Sequence, residues 1–216
     1  MTSSAALIVF IKNPVLGKVK TRIAVTSGEF TALQIYLQLQ VITRKQCINY
    51  QGSKYLFYSD FIDTNDAWDS NLFNKKLQTG NDLGIRMKHA FRELFLQHSK
   101  VIIIGSDCPY LKTNHIQEAS KLLDTYDCVI GPAKDGGYYL LGLNSLHKSL
   151  FQDKNWSSAT VLYESLLDLK QLNLSYKMKA RISQIIYLII YLIKFIGIKR
   201  TLPGEPFSIP RPGRRL

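Results

Sequence analysis

Two stretches of this 216-residue chain have the residue types and spacing to handle phosphate. The first is KNPVLGKVKTR (12–22), which sets Lys12, Lys18, Lys20 and Arg22 around Gly17 and the hydroxyl of Thr21. Cations, a glycine and exposed backbone N–H groups suit phosphate oxygens. The glycine spacing is not that of a Walker A loop. A solvated basic loop is the plainer alternative. The second stretch is VIIIGSDCPYL (101–111), where a β-branched run ends by presenting one carboxylate, Asp107, before Pro109. A carboxylate there can hold a divalent cation, Mg²⁺ or Mn²⁺, that bridges a diphosphate and neutralises a leaving group. An aspartate that simply shapes a turn or caps a helix is the competing reading.

Smaller constellations surround these. DGGYY (135–139) offers Asp135 as a base or second carboxylate, and Gly136 and Gly137 would let a ligand approach the backbone. An Asp-Gly hairpin turn explains the same residues. Tyr138 and Tyr139 alternate across a strand, so at most one of them lines an acceptor pocket. Asp82 and Arg86 stand one turn apart at a helix start, either on the nucleotide side of a site or as a cap and an ion pair worth a few tenths of a kcal/mol. Trp156 suits stacking on a sugar or base, and equally a core anchor. The four histidines are scattered, and the three cysteines have no C-x-x-C spacing, so neither a disulfide framework nor a zinc site is expected.

The elements that must position these residues alternate. ALIVFI (6–11), KYLFYS (54–59), the brief KKLQ (75–78), VIIIGSD (101–107), CVIGPA (128–133) and the run after the double glycine read as strands. Helices are expected from Gly28-Glu29, behind Asp82 as N-cap, behind Thr113 or Asn114, and over SSATVLYESLLDLKQL (157–172). Strands alternating with helices predict an α/β three-layer fold on a mainly parallel sheet. In such a fold ligands gather beyond the carboxyl ends of the strands, where both the basic loop and Asp107 would lie.

Charge is uneven along the chain. Of the formal +12, residues 177–216 hold nine Lys or Arg against one acid, a net +8, leaving +4 for the first 176 residues. A nucleic-acid partner is therefore not expected of the body, despite the high pI. Composition breaks near Lys177, which suggests a domain over 1–176 and an apolar, basic tail over 177–216. Between Arg181 and Lys194 lie twelve uncharged residues, fewer than the ~20 a spanning helix needs. Residues 182–198 fit a peripheral membrane contact with basic flanks, or a segment packed on the body. MTSSAALIVFIKNP has no basic n-region, and a cytoplasmic setting, with membrane association as the alternative, is expected.

Five segments carry a resemblance in order: FIKNPVLGKVKTR (10–22), QTGNDLGIRMKHAF (78–91), IIGSDCPYL (103–111), IGPAKDGGYYLLGL (130–143) and WSSATV (156–161). Together they resemble bacterial GT-A-like transferases known as radical-SAM/selenodomain-associated transferases, some assigned to arsenosugar biosynthesis as glycosyltransferases. More distantly they resemble 2-phospho-lactate and molybdenum-cofactor guanylyltransferases. The resemblance, over about residues 5–175, implies a Rossmann-like nucleotide-diphospho-sugar transferase fold. It implies that Lys12, Lys20 and Arg22 meet nucleotide phosphates, that Asp107 takes the metal position, and that Gly136-Gly137 lies beside the acceptor or sugar. GT-A enzymes often carry an Asp-x-Asp pair, whereas this chain has Ser106-Asp107-Cys108. The family's aspartate-rich segment after the last body helix corresponds here to KARISQIIYLIIYLIKF, which contains no acid.

The expected activity is metal-dependent transfer from a nucleotide-diphospho-sugar donor to a small-molecule acceptor. A nucleotidyltransferase using a nucleoside triphosphate and an acidic acceptor is the second expectation. A non-catalytic nucleotide-binding protein is the third. Base, sugar, acceptor and oligomeric state are not encoded in these motifs.

Overall fold

The structure, a computed structural model, describes residues 4–156 and 158–181; the tail expectations for 182–198 lie outside the described residues. Seven strands form one sheet: β1 (Ala6–Ile11), β2 (Lys54–Tyr58), β3 (Asn74–Leu77), β4 (Val101–Gly105), β5 (Cys128–Pro132), β6 (Tyr138–Leu143) and β7 (Tyr176–Met178). Their order across the sheet is β3-β2-β1-β4-β6-β5-β7. All neighbouring pairs are parallel except those of β6, which runs antiparallel to both β4 and β5. The mainly parallel three-layer α/β architecture expected from the sequence is thus the one found.

Among the described residues five α-helices pack on this sheet or extend from it: α1 (Thr21–Ser27), α2 (Glu29–Ile48), α3 (Leu83–Leu94), α4 (Thr113–Leu122) and α5 (Val161–Gln171). Alternate residues of β1 point to opposite faces. Leu7, Val9 and Ile11 join Cys47 of α2 with Ile116 and Ala119 of α4. Ala6 and Ile8 join Met87, Ala90, Phe91 and Leu94 of α3 with Leu162 and Leu169 of α5. A strand buried on both faces has no polar side to show, which is why β1 and β4 read as unbroken apolar runs. Truncating one of their side chains, for example Ile8→Ala, falls in the range of 2–5 kcal/mol typical of such deletions, roughly.

The sequence predicts a loop over KNPVLGKVKTR (12–22) and a helix opening at Gly28-Glu29. Instead Thr21–Ser27 already forms α1, and Gly28, with φ 84°, is both the end of α1 and the cap of α2. The missed helix has no buried residue, so it lacks the apolar periodicity that marks a helix in sequence. The predicted boundary at 176/177 falls within β7, which pairs with β5 in the register Cys128↔Tyr176. No helix among the described residues is long and apolar enough to cross a membrane.

Asp127 ties down the start of β7. It accepts from the Ser175 N–H at 2.9 Å, the Ser175 hydroxyl at 2.7 Å and the Asn144 amide at 3.3 Å. The Ser175 hydroxyl, then its N–H, hold the Asp127 carboxyl below its usual pKa. A depressed carboxylate contributes stability that is complete above its unfolded pKa, about 4, and is lost as pH falls through the lower folded value. Amide exchange at Tyr176–Met178 should therefore accelerate below about pH 4 beyond the intrinsic trend. Asp127→Ala should remove that step and cost about 1 kcal/mol at neutral pH, measurable by denaturant unfolding.

Candidate functional site at the carboxyl edge of the sheet

The chain steps from β1 outward through β2 to β3, then returns to place β4 on the other side of β1. Consecutive connections leave β1 in opposite directions at that point, and in open α/β sheets the crevice that binds ligands lies outside the strand ends at such a switch. The basic loop follows β1 and Asp107 follows β4, so both border this crevice.

The two segments touch. Lys20 Nζ lies 2.8 Å from Asp107 Oδ2, with the lysine side chain 15% exposed and the aspartate 44%. So open a pair contributes no more than about 1 kcal/mol to stability. Its interest is that it leaves a cation and a carboxylate side by side at the mouth of the crevice. Lys20 itself has left-handed backbone angles, φ 48° and ψ 43°, directly before α1. Gly17 has φ 77°, and a side chain there would press on the Glu29 carboxylate. Lys12, Lys18 and Arg22 are exposed around this turn, Arg22 on the first turn of α1.

Hydrogen bonds from neighbouring elements hold the edge together where the strand ladders stop. Asn13, 1% exposed, accepts from the N–H groups of Asp60 and Phe61 and donates to the Phe61 carbonyl, tying the β1 loop to the β2 loop. Gln78 donates to the carbonyls of Ile11 and Phe57 from the end of β3. The Tyr36 hydroxyl of α2 accepts from Lys12 N–H at 2.8 Å and lies 3.0 Å from both the Lys12 carbonyl and Ser106 Oγ. Gln40, one turn later, also donates to the Lys12 carbonyl. Sequence reasoning missed these ties: Tyr36 and Gln40 read as part of an amphipathic helix face, and Asn13 as one polar residue in a loop.

Among the described residues no three His, Cys, Asp or Glu side chains converge to hold a metal ion. Asp107 is the carboxylate at the end of β4, with Lys20 on one of its oxygens, and the Glu29 carboxylate lies beside Gly17 of the basic loop. That donor set does not make a closed metal site, but it fits a Mg²⁺ held largely by substrate phosphate oxygens. The neighbouring Cys108 is 2% exposed, and burial pushes its thiol up to about 11, so it is a protonated packing residue.

The remaining predicted residues separate by role. Asp82 caps α3 through a bond from Ile85 N–H at 2.8 Å, and Arg86 Nε donates to the Gly80 carbonyl, so the two form no ion pair with each other. Asp135 is exposed and accepts from Gly137 N–H at 3.2 Å, making a local turn. Gly136 has φ 88°, and the space a side chain would need there is filled by the Ala159 backbone. Gly137 meets only the Asp135 carboxylate, 3.6 Å from where a Cβ would sit. Tyr138, expected at an acceptor pocket, packs on the cluster containing Leu162 and Leu169, with its hydroxyl buried. The strand alternation sends Tyr139 the other way, where its hydroxyl meets the Ala180 carbonyl.

Trp156 lies against Gly84 at the start of α3: a Cβ at Gly84 would come within 2.3 Å of the indole nitrogen. The glycine is therefore a seat for the indole, as Gly136 is for the Ala159 backbone. Gly84→Ala should displace Trp156 and cost roughly 1–3 kcal/mol, the usual range for overpacking. In a Trp68→Phe background, which leaves Trp156 as the chain's only indole, this should appear as red-shifted emission with a lowered melting point.

Comparison with known proteins follows the same outline. A crystal structure from Desulfovibrio desulfuricans G20, of a candidate nucleotide-diphospho-sugar transferase, matches with a TM-score of 0.77 and 28% identity, over 84% of this chain and 82% of that one. The 4-diphosphocytidyl-2C-methyl-D-erythritol synthase of Anaerococcus prevotii DSM 20548, 9% identical, shares the fold at a TM-score of 0.53 over 90% of this chain and 96% of its own. The 2-phospho-L-lactate guanylyltransferase of Methanocaldococcus jannaschii is 42% identical over 59 residues, 27% of this chain and 25% of that protein. Its counterpart from Methanocaldococcus sp. FS406-22 is 41% identical over 68 residues, 32% of this chain and 28% of that protein. The chain thus matches about a quarter of the length of these curated relatives. The model of DUF2064, described as an uncharacterized protein conserved in bacteria, matches residues 42–158. That match spans more than half of the sequence and includes Asp82, Asp107 and the Gly136-Gly137 turn, and the chain belongs to the DUF2064 family.

Proposed function

We propose that this protein is a transferase that binds a nucleotide-diphospho-sugar at the β1/β4 crevice and passes the sugar to a small-molecule acceptor. The observation that carries the reading is the Lys20–Asp107 pair at the point where the strand order reverses. The structural likeness over most of the chain to a candidate nucleotide-diphospho-sugar transferase supports it.

In this reading the exposed cations Lys12, Lys18 and Arg22, with Lys20, surround the phosphates. They bind the donor and oppose the charge that builds on the departing nucleoside diphosphate. Asp107 would hold a Mg²⁺ or Mn²⁺ ion through the oxygen that Lys20 leaves free, and the ion would supply further charge neutralisation. Lys20 would then turn from Asp107 toward a phosphate oxygen. Asp135, on the same edge, is the chain's candidate for orienting or deprotonating the acceptor hydroxyl.

Nucleotidyl transfer is the second reading, favoured by one observation: the local identity of about 42% to a 2-phospho-L-lactate guanylyltransferase. It keeps the same phosphate site, with a nucleoside triphosphate as donor, an acidic acceptor and pyrophosphate as the product.

A thermal-shift panel of nucleotide sugars and nucleoside triphosphates, with and without Mg²⁺ or Mn²⁺, tests both, because ligands of the native state raise the melting point. Metal-dependent stabilisation by nucleotide sugars, abolished in Asp107→Asn, is expected. Preference for triphosphates with release of pyrophosphate would favour the second reading, and no response to any nucleotide would sink both. Calorimetric titration of the free protein with Mg²⁺ alone should show no binding at millimolar concentration, since most of the ligands come with the phosphates.

A further inference from the structure

The Tyr36 hydroxyl bonds both of the segments that border the crevice. It accepts from Lys12 N–H, and it stands 3.0 Å from the Lys12 carbonyl and from Ser106 Oγ, the residue before Asp107. The tyrosine is 3% exposed and Ser106 is 4% exposed, so no bulk water replaces either group. A phenol has one proton to donate. If it goes to the Lys12 carbonyl, the Ser106 hydroxyl must donate to Tyr36, which orders all three groups in one chain. Ser106 is also tied through its own N–H to the Phe10 carbonyl at the end of β1. Burial, the largest influence, raises the phenol pKa, with the charge of Asp107 acting in the same direction, so the proton stays on oxygen at neutral pH.

Two loops that follow different strands have no ladder between them once those strands end. We infer that Tyr36 is a positioning residue: its hydroxyl sets the distance between the phosphate loop begun by Lys12 and the turn that carries Asp107. It touches neither phosphate nor metal, and it acts through the backbone of Lys12 and the side chain of Ser106. The inference rests on the reading that this crevice binds phosphates.

The test uses the full chain and Mg²⁺ with tripolyphosphate, a probe that carries the phosphates without a base or sugar. Tyr36→Phe removes one oxygen and keeps the ring packing. Its dissociation constant for the probe should rise at least about tenfold, the size of one hydrogen bond lost at a buried site. The melting point of the free protein should change by only a few degrees. Ser106→Ala should weaken binding similarly, and the double variant should be no weaker than the worse single one, because one chain of bonds is broken in each case. Placing 3-fluorotyrosine at position 36 supplies a readout that plain packing would not move: its fluorine signal should shift as the probe is added. Wild-type affinity in Tyr36→Phe, additive losses, or a static fluorine signal in a protein that binds the probe would each overturn the inference. A wild-type protein that binds neither the probe nor any nucleotide would overturn the functional reading, and this inference with it.

Discussion

Burial of β1 on both faces, between two parallel neighbours, is the constraint from which the rest follows. A strand so placed can be apolar throughout, and its neighbours must come from chain segments that wind away in opposite directions. The crevice between the β1 and β4 loops is a geometric by-product of that winding. It needs no dedicated cavity in the core, and the sheet can be stabilised by packing alone while the edge stays open for chemistry.

An open edge has a cost in backbone order, and the protein meets it with side chains. Asn13 and Tyr36 each bond main-chain groups of a loop other than their own, and Gln78 bonds carbonyls of β1 and β2. Lys20, in a conformation that L-residues adopt at an expense of roughly 1 kcal/mol, turns the loop sharply into α1. Its ion pair with Asp107 helps offset that strain. The arrangement favours a crevice whose walls are held rigidly while its charged groups remain half-exposed.

The fold was legible because its strongest signals are local. The unbroken apolar runs of β1, β4 and β5 and the periodicity of α3 to α5 each report burial directly. The antiparallel direction of β6 was legible only through the Asp-Gly hairpin turn before it, since a strand buried on both faces looks the same read either way. In α1 the absence of any buried residue left no period to detect. At the candidate site, residue types pointed to the basic loop and to Asp107, and the structure brings the two into contact through Lys20. Tyr36 escaped because its ring obeys the helix period and its function rests on one oxygen. Trp156 and Gly136, legible in sequence as ligand-facing groups or as a core anchor and a turn residue, each have a packing neighbour here, Gly84 and the Ala159 backbone.

The reversed direction of β6 carries a consequence for how this edge could change over time. A parallel strand reaches its neighbour only through a crossover that spans the sheet, so altering its loop disturbs a helix. Because β6 runs back alongside β5, the two are joined by a short turn, residues 133–137, at the same edge as Asp107. That turn can lengthen or shorten without re-registering any other strand. Evolution could thus rework the part of the edge nearest the turn as an exchangeable module, leaving the Lys20–Asp107 contact untouched.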